Sequence, residues 1–246
     1  MEHIHYYFCY GEMHRNLIRQ YVPDAFVFHF DFPPVPFPQL RIVPKVFDFV
    51  FFAHRVIASK GIECSIEALS IIVKKYPTVS LLVVGSCDSK YKEFLQSKIE
   101  HLRLEKNIVF HDYFEKQEDM LQYVMQARFA LLPIKLDVIS GTIIQAMRMG
   151  LPVITHITTG TPNLNKEKKC VMLSPIDEIP ALAANMIEVY ENEDLASELR
   201  NNSIEYCKRE DERKALSARV IIENCYYIID NYNNHVPIPQ ERLYNT

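Results

Sequence analysis

The chain has 246 residues, 48% hydrophobic and 24% charged, with a formal net charge of −4, as expected for one large soluble domain or one domain with appendages. The mildly acidic balance leaves no electrostatic footprint for nucleic acid, no apolar run is long enough to span a bilayer, and the N-terminus lacks the basic-then-apolar order of a signal peptide. The six cysteines stand apart with no C-x-x-C pair, so they read as reduced thiols of a cytoplasmic protein (or one peripheral at the inner face of the membrane) rather than a disulfide framework or zinc site.

Residues 1–45 are rich in His, Tyr, Phe and Pro. A weak helix is expected over 12–20 and a strand over 25–29 (AFVFH), while His3 and His5 fit a strand or a tail. FPPVPFP (32–38) forbids helix and discourages a central strand, because proline fixes φ and lacks the N–H. Residues 30–45 therefore read as an extended linker or edge segment.

From residue 46 a regular alternation begins. Short apolar runs predict buried strands at 47–53 (FDFVFFA), 79–84 (VSLLVV), 107–111 (NIVFH), 129–133 (FALLP), 152–155 (PVIT) and 170–173 (CVML). Amphipathic helices fall between them at 62–75, 90–102 and 118–127, the first placing Ile62, Ile66, Leu69 and Val73 on one face. Such alternation implies an α/β fold, a Rossmann-like doubly wound parallel sheet of about six strands covered on both faces. After 176 the chain is helical at 179–191, 194–208 and 212–232, ending in a loose tail around Pro237 and Pro239. Val220, Ile221, Tyr227 and Ile228 offer more apolar surface than one helix face can bury, as if meant for a partner. Three segments result: 1–45, a main domain over 46–210, and a helix and tail over 211–246.

Ligands of doubly wound sheets bind beyond the carboxyl ends of the strands. The loop after the first main strand carries Arg55 and Lys60 and leads into a helix. A two-pronged guanidinium and a mobile ammonium suit a polyphosphate, although two solvated surface charges would look the same. Gly85 follows the next strand, as a close-approach glycine or an ordinary tight turn. Ser140, Gly141 and Thr142 open a helix, where exposed amides, two hydroxyls and a glycine make an anion site, against the alternative of a plain serine cap. His54, His111 and His156 stand at strand ends and should rim the cleft, but their spacing fits no metal template. No Asp-x-Asp pair, nucleophile elbow or GKS/GKT phosphate loop is present.

From about 47 to 205 the chain resembles the C-terminal, donor-binding domain of the glycosyl transferases group 1 family, retaining enzymes of GT-B architecture. The pieces that carry the likeness come in order: ASKGIECSIEALSIIVKKYP, LLVVGS, NIVFHDYF and ISGTIIQAMRMGLPVIT. The resemblance implies a metal-independent hexosyltransferase that needs no cofactor and uses a nucleotide sugar as donor in polysaccharide or glycoconjugate synthesis. It assigns Arg55 and Lys60 to the diphosphate, Ser140, Gly141 and Thr142 to the distal phosphate, and the Asp112-Tyr113-Phe114 loop to the base. Where the family carries two glutamates eight residues apart, this chain has Asp137 and Gln145. Asp137 keeps the charge and would orient the donor sugar; Gln145 would bind ribose as a neutral partner. The segment YGEMHRNLIRQYVPDAFVFHFDFPP resembles the tail end of the family's acceptor-binding domain, so 1–45 reads as its remnant, and a partner chain or a missing portion would supply the rest and hold a sugar or lipid-linked acceptor. A non-catalytic nucleotide-sugar-binding module is the alternative from another class; a sugar-nucleotide epimerase would require acid–base residues that the sequence does not offer.

Overall fold

The computed structural model describes residues 4–9, 11–30 and 36–244. His3 and most of the proline-rich stretch (31–35) lie outside the described residues. The chain forms two compact units, Pro38–Cys207 and a smaller one that gathers Met1–Phe37 with Lys208–Thr246.

The smaller unit is built on β1 (Tyr6–Cys9), α1 (Glu12–Tyr21) and β2 (Phe26–His29). The N-terminus, left open as a strand or a tail, is a strand: β1 pairs parallel with β2, Tyr6 opposite Phe26, and the rings of these two stack at 5.5 Å. Cys9, Ala25 and Val27 form its core, with Tyr7, Ile18, Val22 and Tyr244 packed against them.

In the larger unit β3 (Phe47–Arg55), β4 (Leu81–Ser86), β5 (Ile108–His111), β6 (Ala127–Leu132), β7 (Val153–His156) and β8 (Val171–Ser174) form one sheet in the order β5-β4-β3-β6-β7-β8. All five pairings are parallel. Phe49, Val50, Phe51 and Phe52 are each 0% exposed. Successive residues of a strand face opposite sides, so a run buried on both parities is a central strand covered on both faces. The covering helices are α2 (Ile62–Ile72), α3 (Ser89–His101), α4 (Gln117–Val124), α5 (Gly141–Arg148) and α6 (Ile179–Glu191). α2 buries Ile62, Ile66, Leu69 and Ile72 in the same core as Leu182 and Met186 of α6.

Two helices expected at 194–208 and 212–232 are instead α7 (Glu193–Ala215) and α8 (Ser217–Asn234), breaking at Leu216. The charged stretch taken for a break continues as helix, with Arg213 paired to Glu210 one turn back at 2.8 Å. On α8, Ile221, Tyr227 and Ile228 are only half-exposed, and Arg242 lies over the Tyr227 ring at 5.1 Å. The exposed stripe is a different one, Ile222, Tyr226 and Ile229 at four- and three-residue steps, with Tyr232 and Val220 beside it. α1 shows Met13, Leu17 and Tyr21 exposed at steps of four.

Candidate functional site

The strand order reverses between β3 and β6: β4 and β5 extend to one side, β7 and β8 to the other. Adjacent chain crossovers diverge there and open a crevice at the carboxyl ends. A cavity of about 660 Å³ occupies that crevice. Arg55, Lys60, Gly85, Tyr113, Asp137, Ser140, Gly141, Thr142 and Gln145 all line it. Four stretches far apart in sequence therefore converge on one volume.

Each stretch has a local cause. Arg55 ends β3 just after the register against β4 shifts between Phe52 and Arg55. The irregularity leaves His54 and Arg55 exposed while Val56 returns to the core. Gly85 has φ +142°, and a Cβ there would stand 2.0 Å from the Ala53 carbonyl oxygen. Only glycine lets β4 approach β3 so closely at the cavity floor.

Lys60 closes a 3₁₀ turn, Ala58–Lys60, that Gly61 terminates with φ +82°. A Cβ on Gly61 would lie 1.9 Å from the Pro133 carbonyl oxygen, and the Lys135 amide donates to the Ser59 carbonyl at 3.0 Å. The lysine turn is thereby fastened to the loop after β6, which carries Asp137. Across it the Lys60 ammonium donates to Asp137 Oδ2 at 3.2 Å and to Ser140 Oγ at 3.3 Å. Asp137 Oδ1 accepts from the Val138 amide at 2.9 Å.

Ser140 occupies the N-cap position of α5, yet its side chain makes no capping bond. Its hydroxyl meets Thr142 Oγ1 at 3.1 Å and Lys60 instead. The plain serine cap is thus set aside, and the first amides of α5 stay available to an acceptor, as a helix start dictates. Nothing lies within 4 Å of where a Gly141 Cβ would be, so that glycine keeps the approach open.

The far wall is aromatic. Tyr113 meets His54 edge-on at 5.5 Å, and Phe114 stacks on His111 at 4.2 Å, with Tyr123 of α4 tilted against both. Asp112 leaves the cavity and pairs with Lys92 at 3.0 Å. Sequence reasoning missed Glu115, Gln117 and Met120, which also line the site; they continue the loop after β5 into α4 and follow from the strand-end rule once extended past Phe114.

Of the three histidines expected at the rim, only His54 lines the cavity. His156 is a correction: it is 0% exposed, with Nδ1 3.1 Å from Ser174 Oγ and Nε2 without a hydrogen-bond partner among the described residues. Burial depresses its pKa below 6.5, the nearby Asp177 carboxylate opposing. The Cys64 thiol lies 3.3 Å from Asp177 Oδ1 and is pushed up to about 11, first by burial and then by that carboxylate. Asp177 is held below its ordinary value by Lys135 and then by Cys64. Among the described residues no group of three or more His, Cys, Asp or Glu could hold a metal ion, and no helix is long and apolar enough to cross a membrane.

No curated protein matches the chain by sequence. Among solved structures, the C-terminal domain of a glycosyl transferase group 1 family protein (LpcC) from Francisella tularensis is similar at TM-score 0.58 and 18% identity, over 66% of this chain and 85% of that one. Sucrose-phosphate synthase from Thermosynechococcus elongatus gives TM-score 0.73 and 18% identity over 91% of this chain but 59% of its own. The pneumococcal O-GlcNAc transferase GtfA, in complex with UDP and GlcNAc, gives 0.67 and 14% over 89% and 45%; a GtfA/B complex gives 0.70 at the same identity and coverage. At such identities the likeness concerns the fold, and the chain spans about half the length of the last two proteins. The sequence itself decides the family: residues 42–209 match the profile of glycosyl transferases group 1, and the chain belongs to that family.

Proposed function

We propose that the larger unit binds a nucleotide sugar by its diphosphate and presents the sugar for transfer to an acceptor. One observation carries this reading: Arg55, Lys60 and the uncapped start of α5 converge on one cavity at the point where the strand order reverses. Two fixed cations and a helix N-terminus favour a multiply charged anion over a neutral ligand. Tyr113 and Phe114 offer flat apolar faces for a base at the β4–β5 side, and Gln145 offers a neutral amide for ribose hydroxyls. The UDP bound in the pneumococcal relative is consistent with this class of donor.

In glycosyl transfer, negative charge grows on the departing diphosphate. Arg55, Lys60 and the α5 dipole are aimed where that charge develops, and such preorganised groups need little rearrangement at the moment of reaction. Asp137 stands beside Lys60, within reach of a sugar joined to the distal phosphate. The pneumococcal relative is about twice as long as this chain, which covers 45% of it, and an acceptor site on further protein, in this or a partner chain, would fit that difference. The exposed stripes on α1 and α8 suit such an interface, since apolar patches of this kind mark contact surfaces.

Calorimetry with UDP, GDP and ADP, each with and without EDTA, tests the reading. Binding of one of them unaffected by the chelator is expected. No binding, or binding only with a divalent metal, would overturn it.

A further inference from the structure

Lys60 is the cation best placed for a distal phosphate, yet the chain supplies its own anion to it. Asp137 Oδ2 lies 3.2 Å from the Lys60 ammonium, and Asp137 Oδ1 is tied down by the Val138 amide at 2.9 Å. The lysine and aspartate side chains are only 25% and 34% exposed, so water screens the pair incompletely. The next cation along the same loop offers no substitute, because Lys135 is engaged by Asp177.

We propose that Asp137 makes this site discriminate a nucleotide sugar from the bare nucleoside diphosphate. The inference rests on the donor-site reading above and adds a selection rule to it. A phosphate that recruits Lys60 must either share the ammonium with the Asp137 carboxylate or displace it. Both groups are hydrogen-bond acceptors only, so neither satisfies the other, and like charges at this separation repel. The Val138 amide keeps the carboxylate from swinging clear. A nucleoside diphosphate therefore leaves Asp137 beside its own charge with nothing gained. A nucleotide sugar brings hydroxyl donors, attached to the same distal phosphate, and a carboxylate that accepts from them regains charge-assisted bonds. Substrate then replaces what it takes from Lys60 and product does not, which favours release of the diphosphate once the sugar has left.

The experiment compares the full chain with Asp137→Asn, which keeps size and an acceptor for the Val138 amide. Calorimetry uses UDP and UDP-glucose, GDP and GDP-mannose, ADP and ADP-glucose, and thermal melts check the fold. For the base that binds, the variant should take the bare diphosphate roughly two- to fivefold more tightly, the scale of a partly exposed ion pair, while the sugar nucleotide gains nothing. Unchanged or weaker diphosphate binding by a folded variant overturns the selection rule and leaves the donor site standing. Failure of the wild-type chain to bind any of the six overturns the donor-site reading and this inference together.

Discussion

Replacing Arg55 with alanine removes a guanidinium that stands exposed at the end of β3 and has no ion-pair partner among the described residues. Folding stability should change by no more than about 0.5 kcal/mol, as for a surface substitution away from caps and networks. Binding is another matter. A hydrogen bond to a charged group contributes about 1.5–3 kcal/mol, so affinity for the nucleoside diphosphate should fall roughly 10- to 150-fold. Lys60→Ala should cost less, because Lys60 surrenders its 3.2 Å and 3.3 Å contacts to Asp137 and Ser140 when it turns to a phosphate. That exchange offsets about 0.2–1 kcal/mol, the worth of a partly exposed pair. Calorimetry at low salt gives both numbers, and repetition at high salt should narrow both gaps. An unchanged dissociation constant for folded Arg55→Ala would return the loop to a pair of solvated charges.

Two glycines at the site should respond oppositely. Gly85→Ala drives a Cβ to 2.0 Å from the Ala53 carbonyl oxygen at φ +142°, and urea unfolding should show a loss of about 3 kcal/mol or more; Gly141→Ala meets nothing within 4 Å and should keep its melting temperature while weakening diphosphate binding. Buried His156 titrates below 6.5, so the unfolded chain takes the proton first. Stability should be full above about pH 6.5 and decline as pH falls from there toward the folded pKa, and His156→Gln should flatten that part of the melting profile; superimposable profiles would refute the burial argument.

The sheet was legible because its strands are apolar on both faces, which few other elements are. FDFVFFA announces a central strand by composition alone, and the six runs were found within two residues of their observed bounds. Arg55, Lys60, Gly85, Ser140, Gly141 and Thr142 were placed at one edge for a related reason, since parallel topology sets the loops after the strands side by side; Tyr113, Asp137 and Gln145 came with the family resemblance, and all nine line one cavity. In the smaller unit α1 and β2 were read close to their observed bounds, but its assembly lay beyond the sequence. β1 and the exposed stripe of α8 depend on which distant segments come together, and hydrophobic spacing on a single helix does not reveal which of two overlapping faces a neighbour will cover. Of the α8 residues singled out, Val220 is exposed, whereas Ile221, Tyr227 and Ile228 are one step away from the exposed Ile222, Tyr226 and Ile229. A step of one residue turns a helix by about 100°, enough to exchange a packed face for an open one.

The same limit explains His156 and the Lys60–Asp137 pair. A histidine at the end of a strand reads as a rim residue, but all four residues of β7 are buried, so the cover of the sheet reaches to the strand's last residue. His156 shares its face with Ile154, which is part of the main core. Lys60 and Asp137 are 77 residues apart and each was read as facing the ligand alone. Their contact follows from Gly61, whose left-handed backbone and missing side chain let the lysine turn rest on the Pro133 carbonyl. A residue with a Cβ at position 61 would hold that turn away from the loop after β6 and separate the ammonium from the carboxylate. The electrostatics of the proposed donor site therefore depend on a glycine that is not among the residues lining the cavity.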